Sequence, residues 1–234
     1  MEHTLKVTNV FSDPTRFNIY QFLLKQKNNP VTVLDIAEQF NIHPNVARIH
    51  LAKLEDINIV SSDYERTGKG GRPSRIYQMT DHVIELNFPH RDYKLLSTVA
   101  LDTLSEMGEI GKQALYEMGQ KYGEQTMKKL NGQLVKKDEL TIKQKINLLE
   151  HTSIILGMYP KFTYIENKQQ IKFEINNCPF KEVAKKHQTT VCHMHYSFIK
   201  GMFEAVFETF ELIEQENMFA GCANCKYVAN LSIG

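Results

Sequence analysis

Four cysteines and one histidine toward the C-terminal end have the types and spacing for metal or thiol chemistry. Cys178, Cys192, Cys222 and Cys225 all fall between positions 178 and 234. Cys222-Ala223-Asn224-Cys225 sets two thiolates within chelating reach on a short loop, a geometry that suits Zn²⁺ or an iron–sulfur cluster. Cys192 is expected to open a helix with His195 one turn on, so that both face one point, while His193 faces another side. Cys178 precedes Pro179 at the end of an expected strand, where the chain must turn. In a reducing compartment, thiols clustered in this way indicate metal or redox chemistry rather than a structural disulfide. The competing reading is ordinary packing of four small side chains.

A second constellation lies in residues 31 to 79. A helix from Val33 to Phe40 carries Leu34, Ile36, Ala37 and Phe40 at helical spacing. Asn41-Ile42-His43 makes a turn, and Pro44 suits the first turn of the next helix. That helix, Pro44 to Asp56, is expected to bury Val46, Ala47, Leu51 and Leu54. Asn45, Arg48, Ile49 and Ala52 then face outward, with Lys53 near the edge. Arg can pair with guanine and Asn with adenine when such a helix lies in a major groove. Ile59–Arg66 and Arg75–Met79 have strand character and flank a glycine-rich tip. Arg66, Lys69, Arg72 and Arg75 fall in a stretch without acid, as a wing tracking phosphates or a minor groove requires. The order helix, turn, helix, basic hairpin predicts a winged helix-turn-helix over residues 1–80 that binds double-stranded operator DNA.

The rest of the chain has to position these groups. Ser12-Asp13-Pro14 starts an opening helix whose apolar side is Phe17, Ile19, Tyr20, Leu23 and Leu24. Residues 81–91 read as a linker. From Tyr93 to Met107, Ala114 to Leu130 and Ile142 to Ile154, apolar residues recur near a helical period, as core or as subunit contact; a dimer could pair the first segment with its twin. Lys161–Glu166 and Gln170–Asn176 predict a hairpin, Phe180–Lys186 a short helix, and Cys192 onward a longer one bearing Phe198, Met202, Val206, Phe210 and Ile213. Gly221–Ile233 ends strand-like. The fold class expected is α+β: a winged helix-turn-helix, a helical segment, and a C-terminal α+β domain carrying the cysteines, with residues 92–234 serving dimerisation and sensing.

A formal net charge of +1 excludes a polycation, so DNA affinity must come from local charge. No run of about 18 apolar residues could span a membrane, and a cytoplasmic location is expected. No phosphate loop, dinucleotide fingerprint or serine nucleophile motif is present. The CxxC lacks the strand-then-helix setting of a dithiol oxidoreductase, so no enzyme is expected. A small-molecule sensor remains an alternative, with Tyr116, Tyr122, Phe162, Phe173 and Phe203 lining an apolar pocket.

FSDPTRFNIYQFLL, HPNVARIHLAKLE, GRPSRIY, NCPF and VCHMH, in this order, resemble the winged-helix regulators related to the SUF-operon repressor, an iron–sulfur-sensing family. The resemblance covers nearly the whole chain. It implies a homodimeric repressor whose operator binding is controlled by an iron–sulfur cluster, with Cys178 and Cys192 as ligands and one or both of Cys222 and Cys225 completing the site. His195 is the reserve ligand. The chain departs from that family by having Val206 and Phe207 near the place of an intermediate cysteine and a CxxC at the end. That departure leaves Zn²⁺, as a structural ion or part of a thiol switch, open beside the cluster.

Overall fold

A computed structural model describes residues 2–26, 29–65, 74–87, 89, 91–132 and 139–231. The chain divides into two compact units, Met1–Arg91 and Asp92–Gly234. The first contains α1 (Glu2–Phe11), α2 (Pro14–Lys25), β1 (Val31–Thr32), α3 (Val33–Phe40), α4 (Pro44–Glu55), β2 (Val60–Glu65) and β3 (Ser74–Met79). Local chemistry sets these boundaries. The Asp13 carboxylate accepts from the Arg16 amide at 2.9 Å and Pro14 follows, so α2 starts there. Thr32 and Asp35 form a reciprocal capping box on α3, and Asn41, in the left-handed region at φ 50°, ends it. The His43 ring accepts from the Asn45 amide and Pro44 begins α4.

Ile19, Leu23, Ile36, Ala47, Leu51, Leu54, Ile57 and Tyr77 form the core of this unit, and Val7 and Val10 of α1 close it. The strands run in the order β1-β3-β2, all antiparallel, with Tyr64 opposite Arg75. Neither α1 nor β1 was expected from the sequence, although Val7 and Val10 are its buried side. Val46 was expected inside but is 41% exposed; His50 takes the inward position instead.

The second unit comprises α5 (Tyr93–Glu106), α6 (Glu109–Asn131), α7 (Ile142–Ile155), β4 (Pro160–Ile165), β5 (Gln170–Ile175), α8 (Lys181–Ala184), α9 (Gln188–Glu204), β6 (Phe210–Glu216) and β7 (Cys225–Leu231). Its antiparallel sheet has the order β4-β5-β7-β6. Phe162, Phe173 and Tyr227 stack across three strands at 5.0 and 5.1 Å, and Phe203 of α9 lies on Phe173 at 5.3 Å. Helix α9 is therefore covered by the sheet on one side. On the other it meets α6, and there the contact is made by backbone. A Cβ on Gly123 would collide with the Phe198 carbonyl, one on Gly119 with Ser197 and the Met194 carbonyl, and one on Gly201 with the Gln120 carbonyl. The Gln120 amide adds two hydrogen bonds to the Glu204 carboxylate, both 2.7 Å. Covered on two sides, α9 buries nine residues, among them the polar Thr190, His195 and Ser197.

Two expectations are corrected here. Of the apolar stripe expected on α6, Met127 is in the core, but Met118, Tyr122 and Leu130 are exposed, and the rest of the packed face is Gly111, Gly119 and Gly123. Helix α9 begins at Gln188, so Cys192 sits in its second turn rather than at its opening, and it ends at Glu204. Phe210 and Ile213 belong to β6, where Leu212 turns inward and its carbonyl accepts from the Tyr196 hydroxyl at 2.7 Å.

Gly123→Ala tests the α6–α9 contact. Alanine improves intrinsic helix propensity by about 1 kcal/mol, but here its methyl meets backbone that cannot rotate away. Overpacking should win and lower stability by about 3 kcal/mol, measured by denaturant unfolding of the full chain, with the exposed Gln125→Ala as a neutral control. A second test concerns His50, whose burial, aided by the Arg16 charge and opposed by Asp13, pushes its pKa below the ordinary 6.5. The unfolded chain then takes up a proton that the folded chain refuses. Stability should fall as pH drops below 6.5, and His50→Leu should remove that component from a thermal unfolding series.

Candidate nucleic-acid interface and thiol cluster

Helix α4 presents Asn45, Val46, Arg48, Ile49 and Lys53 to solvent. The Arg48 guanidinium donates to the Asn45 side-chain carbonyl at 2.9 Å, so the two polar side chains stand side by side and partly order each other. Val46 and Ile49, 41% and 58% exposed, flank them. Apolar side chains in that setting suit thymine methyl groups. Lys53 lies at the end of this face, 3.8 Å from Asp56.

Arg75 behaves differently from a free wing cation. Its Nη2 donates to both Glu55 carboxylate oxygens at 2.9 and 3.1 Å, its Nε donates to the Ser62 hydroxyl at 2.9 Å, and Ser62 in turn donates to Glu55 at 2.6 Å. The guanidinium also covers the Tyr77 ring at 5.3 Å. The fork ties both wing strands to the C-terminal turn of α4, which makes Arg75 a residue that positions the wing. Sequence reasoning grouped it with the phosphate-facing cations because its acidic partner lies 20 residues away. Arg66, Lys69 and Arg72, the other wing cations expected to contact DNA, lie outside the described residues.

In the second unit, β5 runs into the turn that carries Cys178, β7 starts with Cys225 opposite Ile175, and α9 carries Cys192 and His195. Cys178 Sγ stands 3.7 Å from His195 Nδ1. His195 is fully enclosed, its Nε2 has no hydrogen-bond partner, and the Phe180 ring meets it edge-on at 5.2 Å. Burial pushes its pKa down to about 4, so the ring is neutral and available as a donor ligand at any ordinary pH. Burial raises the Cys178 thiol to about 11; a backbone amide from Phe180 opposes this, while the neighbouring Cys225 and Cys192 add to it. Burial likewise raises Cys225, which accepts from the Met218 amide at 3.4 Å, and Cys192, which is hydrogen-bonded to Asn217. Three thiols and an imidazole thus share one end of the sheet, near enough for the thiols to feel one another's charge. Cys222 is half-buried on the turn before β7, and its charge reaches Lys226.

All four cysteines are free. By type, three thiols and a neutral imidazole with an unpartnered buried nitrogen fit a soft metal or an iron–sulfur centre. By position the fit is partial. Among the described residues, no three His, Cys, Asp or Glu side chains are drawn together closely enough to hold a metal ion. Among the same residues, no helix is long and apolar enough to cross a membrane.

Comparison with known proteins bears on the first unit. The helix-turn-helix domain family matches residues 11–63, from the end of α1 into β2. The N-terminal unit is a winged helix-turn-helix. No curated protein matches the chain significantly. Among solved structures, the chain is similar to a trafficking protein particle complex subunit 3 from Naegleria fowleri covalently bound to palmitic acid. That likeness has 14% identity and a TM-score of 0.42 and covers 60% of this chain and 97% of that one. It is also similar to the phenol-responsive sensory domain of the transcription activator PoxR with phenol, at 15% identity and a TM-score of 0.43, over 79% and 89% of the two chains.

For the winged helix, Arg75→Ala should cost about 1 kcal/mol of stability through loss of a partly exposed but forked pair. Arg48→Ala, on the exposed face, should leave stability within about 0.5 kcal/mol of the parent. Paired thermal unfolding curves distinguish the two roles; equal effects would mean that Arg75 does not anchor the wing.

Proposed function

We propose that this protein is a DNA-binding transcription regulator and not an enzyme, reading paired operator half-sites as a homodimeric repressor. The observation that carries the reading is the exposed Asn45–Arg48 pair on the second helix of a winged helix-turn-helix, with the wing strands locked to that helix by Arg75 and Glu55. A chain of nearly neutral net charge gains little affinity from its bulk field. Base contacts and a few wing cations must supply it, and a second protomer doubles them. The test is selection of a bound duplex from random DNA, followed by titration with Arg48→Ala. Binding should weaken by about 1–3 kcal/mol, with base choice relaxed at one position. Unselective binding, or an operator affinity indifferent to Arg48, would overturn the reading.

We further propose that Cys178, Cys192, Cys225 and His195 are the sensing site, holding an iron–sulfur cluster, with Zn²⁺ as the second reading. Support comes from the proximity of Cys178 to His195 and from the buried, unpartnered Nε2. A bound centre would supply redox sensitivity if it is a cluster, or a fixed structural charge if it is zinc. The residues themselves are donors carried by the turn after β5, the start of β7 and the second turn of α9. Occupancy would thus bear on the packing of all three. Cys178→Ser and Cys192→Ser should each lose most of the metal and sulfide found after anaerobic purification, and Cys222→Ser should lose less. Full metal content in Cys178→Ser and Cys192→Ser would remove the assignment.

A further inference from the structure

Helix α5 buries none of its residues, although it is rich in apolar side chains. Tyr93, Leu96, Ala100, Thr103 and Met107 are spaced alternately by three and four, the repeat of a helix-to-helix seam, and every one of them is exposed. Tyr93 is 66% exposed, Leu96 65% and Met107 52%. Ile110, in the first turn of α6 beyond the turn at Gly108, is a separate exposed apolar side chain at 72%. The inward side of α5 is already occupied. Leu101 and Leu104 are half-buried, and Asp102 is held by Lys186 at 2.8 Å, with the His187 ring beside it. The seam is therefore aimed outward by contacts on the opposite face.

Three considerations choose the occupant. A helix of 14 residues is marginal in water without a covered apolar face. Tyr93, Leu96, Val99 and Met107 on and beside the seam, all more than half exposed, together offer on the order of 500 Å² of surface, a large part of the roughly 800 Å² per partner of a standard specific interface. The middle of the seam is flanked by Ser97 and Val99, so an identical copy meets no like charge there. We infer that the α5 seam is a self-complementary surface and that its partner is the α5 seam of a second copy of this chain, related by a two-fold axis. This deepens the homodimer proposed above and rests on it only for the reason two copies are needed.

Ala100 is the central residue of the seam, so it faces its own counterpart whether the two helices run parallel or antiparallel. That property gives a test which misfolding cannot imitate. The full-length chain should be a dimer at micromolar concentration by sedimentation equilibrium. Ala100→Glu and Ala100→Lys should each weaken dimerisation by about a hundredfold or more through like-charge opposition, with the far-ultraviolet circular dichroism of the parent. Mixing the two variants should restore dimers, now containing one copy of each. A monomeric parent, a variant as dimeric as the parent, or a mixture that stays monomeric would each overturn the inference. Loss of Arg48-dependent DNA binding with the dimer and its charge rescue intact would instead defeat the DNA-reading proposal and leave the seam standing.

Discussion

The close approach of α6 to α9 is the constraint on which the second unit is built. Gly119 and Gly123 on one helix and Gly201 on the other leave no room for even a methyl group, and each faces backbone of its partner. A contact of this kind fixes distance and rotation more narrowly than interdigitated leucines would, because carbonyls cannot change rotamer. With α6 against its back and the aromatic stack of Phe162, Phe173 and Tyr227 beneath it, α9 has no freedom to turn. The consequence reaches the chemistry. His195 and Cys192 stand where they do because α9 is clamped, and Cys178 meets His195 because β5 delivers the chain to the same end of the sheet.

The clamp also explains why the imidazole lacks a partner for Nε2. In an ordinary core, a histidine with one free nitrogen could shift until it found a carbonyl or water. On a helix fixed by backbone contacts it cannot, and the desolvated nitrogen stays unsatisfied. An unsatisfied buried polar atom costs about 1–3 kcal/mol, a disadvantage that a bound Lewis acid would offset. The winged unit is held by a parallel device at smaller scale. There the Arg75–Glu55–Ser62 fork ties the hairpin to α4, so the exposed Asn45 and Arg48 and the wing strands keep a set relation.

Much of the winged helix was legible because its signals are local. Asp13-Pro14, Thr32 with Asp35, and His43-Pro44 each mark a helix start through hydrogen bonds that reach no more than three residues. The tie of Arg75 to Glu55 was not legible because its partner is far away in sequence, and a cation in a basic stretch looks free. In the second unit the α6 stripe read as core or subunit contact; Met127 is in the core, but Met118 and Tyr122 are exposed and the rest of the packed face is a line of glycines, which hydrophobic periodicity does not register. The strand at Phe210 was read as helix because Phe198, Met202, Val206 and Phe210 continue a four-residue spacing past the true end at Glu204. Spacing and resemblance singled out the cysteines and His195. Their gathering at one end of the sheet depends on strand order β4-β5-β7-β6, which no local pattern encodes.

On the proposed reading, the state of the thiol and imidazole donors in the second unit governs operator binding by the first. The most direct measurement is operator affinity on a single anaerobic preparation, by fluorescence anisotropy before and after its metal is removed with a chelator and then restored. The expected result is a reversible change of at least about tenfold, the size of an ordinary allosteric coupling. Identical affinity in all three states, with the metal shown to leave and return, would contradict it.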